Sequence, residues 1–272
     1  DLVAFGEKKV WLNTQFGDGT WQAITADLGA IVTALEFATI DLLYAGTENG
    51  LVFKIERTGG TWQAPAPLHA TPTNFSAITS IAVDPAHTDR IYITLGGQGG
   101  TGGSRVHYYD GAAWHNRTGT GATDLLNTQI NKLVIDPDNV DHLYVAADIG
   151  LWRSTNGGVD WQVFNNGIPE TAIINLAIFK AAGQKKLLRA VTHGRGMYEY
   201  SLDDAEVPAI ELYLRDHQLD LGRQGSTSTY GDADPTNPGT VTAFGASPDI
   251  KVDAPNAQGR HQYGLDRELG FV

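Results

Sequence analysis

Between Gln129 and Asn165 the chain reads INKLVIDPDNVDHLYVAADIGLWRSTNGGVDWQVF. Apolar residues alternate at period two in INKLVID and in HLYVAAD, the spacing of strands rather than helices. Asp136-Pro137 closes the first strand and Asp148-Ile149-Gly150 turns the second into a third. Gly157-Gly158 then supplies a hairpin before Trp161. The stretch is one four-stranded unit.

The unit repeats. SAITSIAVDPAHTDRIYITLGGQGGTGGSRVHYYDGAAWHNRT runs from Ser76 to Thr118, and AIVTALEFATIDLLYAGTENGLVFKIERTGGTWQA from Ala30 to Ala64. The chain opens part-way through a copy with LVAFGEKKVWLNTQFGDGTWQAI. A closing copy, AIINLAIFKAAGQKKLLRAVTHGRGMYEYSL, has no final Trp strand. Leu43-Tyr44, Ile91-Tyr92 and Leu143-Tyr144 recur at intervals of 48 and 52 residues. Trp21, Trp62, Trp114 and Trp161 recur at 41, 52 and 47. A period of 40–50 residues built from four strands marks propeller blades. The expected fold class is therefore all-β: blades of four antiparallel strands, about five motifs, plus a small irregular β tail. Three complete and two three-stranded copies allow either a five-bladed ring or the C-terminal part of a larger propeller. The second is preferred, with the missing blades supplied by another polypeptide completing the ring or by an upstream segment.

Composition agrees. Glycine supplies 32 of 272 residues, charged residues 18% and apolar residues 42%. Nineteen basic against 31 acidic groups give a net charge of −12. That balance lacks the basic footprint of a nucleic-acid or anionic-membrane binder. No window approaches the length of a transmembrane helix, so membrane insertion is not expected. The absence of cysteine removes disulfides, thiolate metal sites and a cysteine nucleophile. With Asp1 first and Met197 the single methionine, the chain reads as a processed or excised piece, of secreted bacterial type.

Ser154-Thr155-Asn156-Gly157-Gly158-Val159-Asp160-Trp161 resembles the Asp-box, the Ser-x-Asp-x-Gly-x-Thr-Trp hairpin of BNR-repeat propellers. Asn156 stands for the usual Asp and Asp160 for the usual Thr. Degenerate forms run from Asn13 to Trp21, Arg57 to Trp62 and Tyr109 to Trp114. THGRGMYEY, Thr192 to Tyr200, is similar to the close of last blades in that superfamily. The resemblance covers 1–202 and implies propeller blades like those of sialidases, sortilin-type receptors and xyloglucan-degrading hydrolases. Ser154, Asn156, Gly158 and Trp161 are implied to be structural. Residues 203–209 read as an acidic linker and 210–272 as the irregular tail, with IELYLRD its clearest strand.

No catalytic residue can be assigned. Asp84 and Asp136 each end a first strand directly before Pro and recur at equivalent positions, which fits turn formation. Asp41, Glu48 and Asp148 sit near other strand ends. Trp11 and Trp152, on third strands, and His193 and Arg195, in the closing copy, are the ligand-binding candidates. The eight histidines show no metal-ligand spacing. Calcium is the one cofactor with any candidate: Asp232 and Asp234, in an oxygen-rich loop without the Gly and distal Glu of an EF-hand. Gly96–Gly103 lacks the Lys-Ser/Thr of a phosphate loop and is expected to be a hairpin insertion. The leading expectation is a non-catalytic extracellular interaction or scaffold module binding protein or glycan through propeller loops. The alternatives are a sialidase- or xyloglucan-hydrolase-like glycosidase with catalysts partly outside this chain, and a glycan-binding lectin.

Overall fold

The computed structural model describes residues 2–68, 76–97, 105–165, 167–203 and 210–212. The tail beyond 212, with Asp232 and Asp234, the linker from 204 to 209 and the core of the Gly-rich insertion lie outside them. Among the described residues there are five antiparallel sheets. Sheet 1 holds β1 (Val3–Gly6), β2 (Val10–Asn13) and β3 (Gln22–Ala23). Sheet 2 holds β4 (Val32–Thr39), β5 (Leu42–Thr47), β6 (Val52–Thr58) and β7 (Thr61–Trp62), with β8 (Ala66–Pro67) also paired to β6. Sheet 3 holds β9 (Ile78–Asp84), β10 (His87–Leu95), β11 (Val106–Tyr109) and β12 (Trp114–Asn116). Sheet 4 holds β13 (Ile130–Asp136), β14 (Asn139–Ala147), β15 (Gly150–Ser154) and β16 (Gln162–Val163). Sheet 5 holds β17 (Ile173–Phe179), β18 (Leu187–Thr192), β19 (Met197–Ser201) and β20 (Ile210–Leu212).

The closing copy gains a strand. The closing copy was expected to have three strands, with Ile210 starting a separate tail. Instead Ile210–Leu212 pairs antiparallel with Met197–Glu199 and supplies the fourth strand. The linker was long enough to hide that relation, and β20 carries no Trp to announce it.

The described residues fall into two compact units. The first contains sheets 1–4 and the start of β17; the second contains the remainder of sheet 5. Within the first unit, consecutive sheets pack through their first strands, β4 on β9 and β9 on β13. Second strands are covered on both faces, so alternation gives way to continuous burial over Leu43–Thr47, Ile91–Leu95 and Leu143–Ala147. Three apolar layers result. Val10, Leu12, Ile24 and Leu28 meet Val32, Leu43 and Ile55 between sheets 1 and 2. Tyr44 and Val52 meet Ile78, Ile81 and Ile93 between sheets 2 and 3. Ala82, Tyr92 and Leu125 meet Leu133, Val145, Trp152 and Trp161 between sheets 3 and 4. Each fully buried Leu or Ile contributes roughly 1.5–3 kcal/mol relative to exposure.

The Leu/Ile-Tyr landmark has a cause. Tyr44 donates its hydroxyl to the Thr88 carbonyl at 3.0 Å, and Tyr92 donates to Gly157 at 3.3 Å. Each ring thus fills one inter-sheet layer and pins its hydroxyl to the next sheet. Burial raises both phenols, Tyr44 to about 12.

Candidate functional site

The Ser154–Trp161 hairpin is built from side-chain bonds to its own backbone. Ser154 Oγ accepts from the amides of Asn156 at 3.3 Å and Gly158 at 2.9 Å, and donates to Asn156 Oδ1 at 3.0 Å. Asn156 Oδ1 accepts from the Asp160 amide at 2.9 Å, and its amide donates to Asp160 Oδ2 at 2.8 Å. Gly157 and Gly158 adopt φ of 69° and 83°, which favours glycine. Trp161 Nε1 donates to the Arg117 carbonyl of sheet 3 at 2.8 Å. Thr123 donates to Asp160 Oδ1 at 2.5 Å, and these hydrogen bonds hold the Asp160 carboxyl below its usual range. The side chains of Ser154, Asn156, Asp160 and Trp161 therefore each have a structural use. A cruder version stands in sheet 1, where Asn13 Oδ1 accepts from Gln15 and Gly17 at 2.7 and 2.9 Å.

The acidic residues separate by end. Asp41, Asp84 and Asp136 lie at the turns between first and second strands. Asp84 Oδ1 accepts from Ala86 at 2.7 Å and Asp136 Oδ1 from Asp138 at 2.9 Å. Glu48 and Asp148 lie at the opposite end, in the turns between second and third strands of sheets 2 and 4. Glu48 Oε1 accepts from the Ile31 amide at 3.1 Å. Asp148 Oδ1 accepts from Asn131 Nδ2 at 2.9 Å, and that amide also donates to the Ile173 carbonyl at 2.8 Å. At the same end the fully buried Arg105 donates to the Gly96 carbonyl at 3.1 Å and to Asn127 Oδ1 at 2.8 Å. Gln129 donates to Asn131 at 3.0 Å. Arg105, Asn127, Gln129, Asn131 and Asp148 thus form a polar row at the end of sheets 3 and 4, bonded to one another and to backbone carbonyls.

The four ligand-binding candidates divide between the two units, Trp11 and Trp152 in the first and His193 and Arg195 in the second. Trp11 is in sheet 1, on β2, half-buried and stacked on Phe5 with ring centroids 6.2 Å apart. Trp152 is in sheet 4, buried in the layer with Tyr92 and Leu133. Both indole N–H groups are buried without a hydrogen-bond partner. His193 and Arg195 are exposed in the β18–β19 turn, in the second unit. The Arg195 amide donates to Thr192 Oγ1 at 3.1 Å, fixing that turn.

Two features escaped the sequence reading. Glu36 on β4 reaches Lys132 on β13 at 3.9 Å, joining sheets 2 and 4. Burial raises the Glu36 carboxyl above its usual range, against the opposing pull of Lys132. A charged residue inside the apolar alternation VTALEFAT was the available signal. The second is a cleft of about 320 Å³ between the outer strands of sheets 1 and 2, walled by Leu12, Thr14, Gln22, Arg57 and Trp62. No cluster of metal-ligating side chains occurs among the described residues.

The chain matches no protein-family model and no curated protein. It does resemble solved structures. An ancestral GH74 enzyme superposes over 88% of this chain with a TM-score of 0.57 at 19% identity. The GH74 xyloglucanase from Xanthomonas campestris superposes over 74%, with a TM-score of 0.48 at 15% identity. The chain spans about a third of the length of each, 32% and 34%. The fold is all-β, made of propeller-type blades.

Proposed function

We propose that this chain is a non-catalytic interaction module of Asp-box type, extracellular, whose blades hold a protein or glycan ligand at the end marked by Glu48, Arg105 and Asp148. The supporting observation is the engagement of the acids. Glu48 and Asp148 each serve a backbone or amide donor at a blade entry, and sheet 3 stands between them. Glycoside hydrolysis needs two carboxylates flanking one bond. The test is a panel of polysaccharides scored for both retention and turnover. Saturable hydrolysis abolished by Glu48→Gln or Asp148→Asn alone would sink this reading. Binding without turnover, weakened by Asn127→Ala, supports it.

A second reading rests on the fold likeness to the ancestral GH74 enzyme. In it the chain contributes part of a xyloglucan-hydrolase-like enzyme whose remaining catalysts lie outside this sequence. Fold alone does not carry function. Glu36 is the described carboxyl with an acid-like upward shift. Hydrolysis by a longer protein containing this chain, lost in Glu36→Gln with binding retained, would favour it.

A further inference from the structure

The cross-strand registers make sheet 1 comparable residue by residue with its neighbours. Phe5 faces Trp11, as Ala45 faces Phe53, Ile93 faces His107 and Val145 faces Trp152. Val3 faces Asn13, as Leu43 faces Ile55 and Leu143 faces Ser154. Gly6 also does for sheet 1 what Gly46 does for sheet 2. A Cβ on Gly6 would collide with Val32, and one on Gly46 would lie 2.5 Å from Ile78, each the first residue of the next sheet. By register and by packing, β1 is therefore a second strand. Sheets 2, 3 and 4 each place a first strand beside it; among the described residues sheet 1 places none.

The consequence is visible in exposure. Phe5 is 44% exposed, whereas Ala45, Ile93 and Val145 at the same register are at 0%. The backbone tells the same story. Val10 N–H donates to Thr25 Oγ1 and its carbonyl accepts from Ile24, so both point away from β1. The opposed Gly6, and Ala4 two residues before it, therefore direct their N–H and C=O groups to the open edge. The outer face of sheet 1 is aromatic as well. Phe5 stacks on Trp11 and meets Trp21 edge-on at 4.8 Å. Their counterparts Trp152 and Trp161 are covered by sheet 3, through Tyr92, Val106 and the Arg117 carbonyl.

We infer that the open edge of β1 and the Phe5–Trp11–Trp21 face receive a further blade-type polypeptide, four strands followed by one extended strand. The extended strand pairs antiparallel with β1, and the blade lies against the three rings. The occupant's chemistry follows from the internal copies. Opposite Ala45, Ile93 and Val145 stand Leu35, Ile81 and Leu133, and opposite Leu43, Ile91 and Leu143 stand Phe37, Val83 and Ile135. The incoming strand thus places large apolar side chains opposite Phe5 and Val3. This inference stands apart from the proposed ligand site, which lies at one end of sheets 2, 3 and 4.

The experiment uses backbone amide exchange at Ala4 and Gly6. In the 272-residue chain they exchange fast, while Val145 is protected. Asp1-Leu2-Val3 aligns with Asp141-His142-Leu143, so a duplicate of residues 78–140 is fused ahead of Asp1. In that extended chain Ala4 and Gly6 slow by about 100-fold or more, and Phe5→Asp returns them to fast exchange with Val145 still protected. Unchanged fast exchange in a folded extended chain overturns the inference. Protection in the unextended monomer overturns it in favour of the chain's own residues, and protection that grows with concentration in favour of a second copy. A further measurement does not depend on the fusion folding. Phe5→Cys, in a chain free of other cysteines, is alkylated by iodoacetamide under native conditions, whereas Val145→Cys reacts only on unfolding. Slow native labelling at Phe5→Cys overturns the inference.

Discussion

His107 shows how a repeat position acquires a private chemistry. It occupies the register held by Trp11, Phe53 and Trp152 and is only 4% exposed. Its Nε2 has no hydrogen-bond partner, and burial lowers its pKa to about 4. The folded state therefore binds this proton more weakly than the unfolded chain, whose histidine titrates near 6.5. Its contribution is intact above about 6.5 and is lost as pH falls from there through about 4. The loss should reach on the order of 3 kcal/mol by pH 4. His107→Leu should flatten the stability profile between pH 6.5 and 4 in urea titrations. A profile as steep as the parent's would refute the assignment. Tyr92 carries the complementary lesson. Tyr92→Phe keeps the ring in its layer and removes the bond to Gly157. A loss of about 0.5–1.5 kcal/mol is expected, with the Gly157 amide region exchanging faster.

At the scale of elements, the hairpin of β15 and β16 depends on Ser154 more than on any residue of its turn tip. Ser154 is 1% exposed, and its Oγ serves two amides. Ser154→Ala leaves the buried Gly158 amide without its acceptor, at about 1–3 kcal/mol, and loosens Trp161 from the Arg117 carbonyl. Equilibrium unfolding followed by tryptophan fluorescence measures both. A change within 0.5 kcal/mol would mean the turn is held by its glycines alone. This hairpin was legible because its chemistry is local: Gly-Gly, a short polar side chain and Trp within eight residues. The strands were legible because period-two alternation survives wherever one face is more buried than the other. β20 was not, since its pairing joins Met197–Glu199 to residues across an acidic linker and is set by the sheet edge. Nor was the Glu36–Lys132 contact, which depends on two strands 96 positions apart meeting across sheet 3. For Trp11 and Trp152, sequence gives aromatic character without its surroundings. Structure places Trp152 in an apolar layer and leaves Trp11 at a sheet's outer face.

For the molecule as a whole, stability in the first unit is a sum over sheets and the layers between neighbours. Such arrays lose stability locally when one layer is damaged. Sheet 3 has a neighbour on each side, and its layers contain Ile81, Ile93, Tyr92 and Val106. Sheet 1 has one described layer, with sheet 2. Equal truncations should therefore cost unequal amounts. Leu143→Ala removes a fully buried side chain from the layer between sheets 3 and 4 and should cost about 2–5 kcal/mol. Val3→Ala, at the matching register of sheet 1, empties a site that is only partly buried and should cost less than about 1 kcal/mol. The two substitutions are read by chemical denaturation, with amide exchange locating the damage. Leu143→Ala should speed exchange in β10 and β14, while Val3→Ala should leave those strands protected. Equal costs would mean that sheet 1 is as fully enclosed as sheet 4, and the exposure of Phe5 would then have to be explained without an open face.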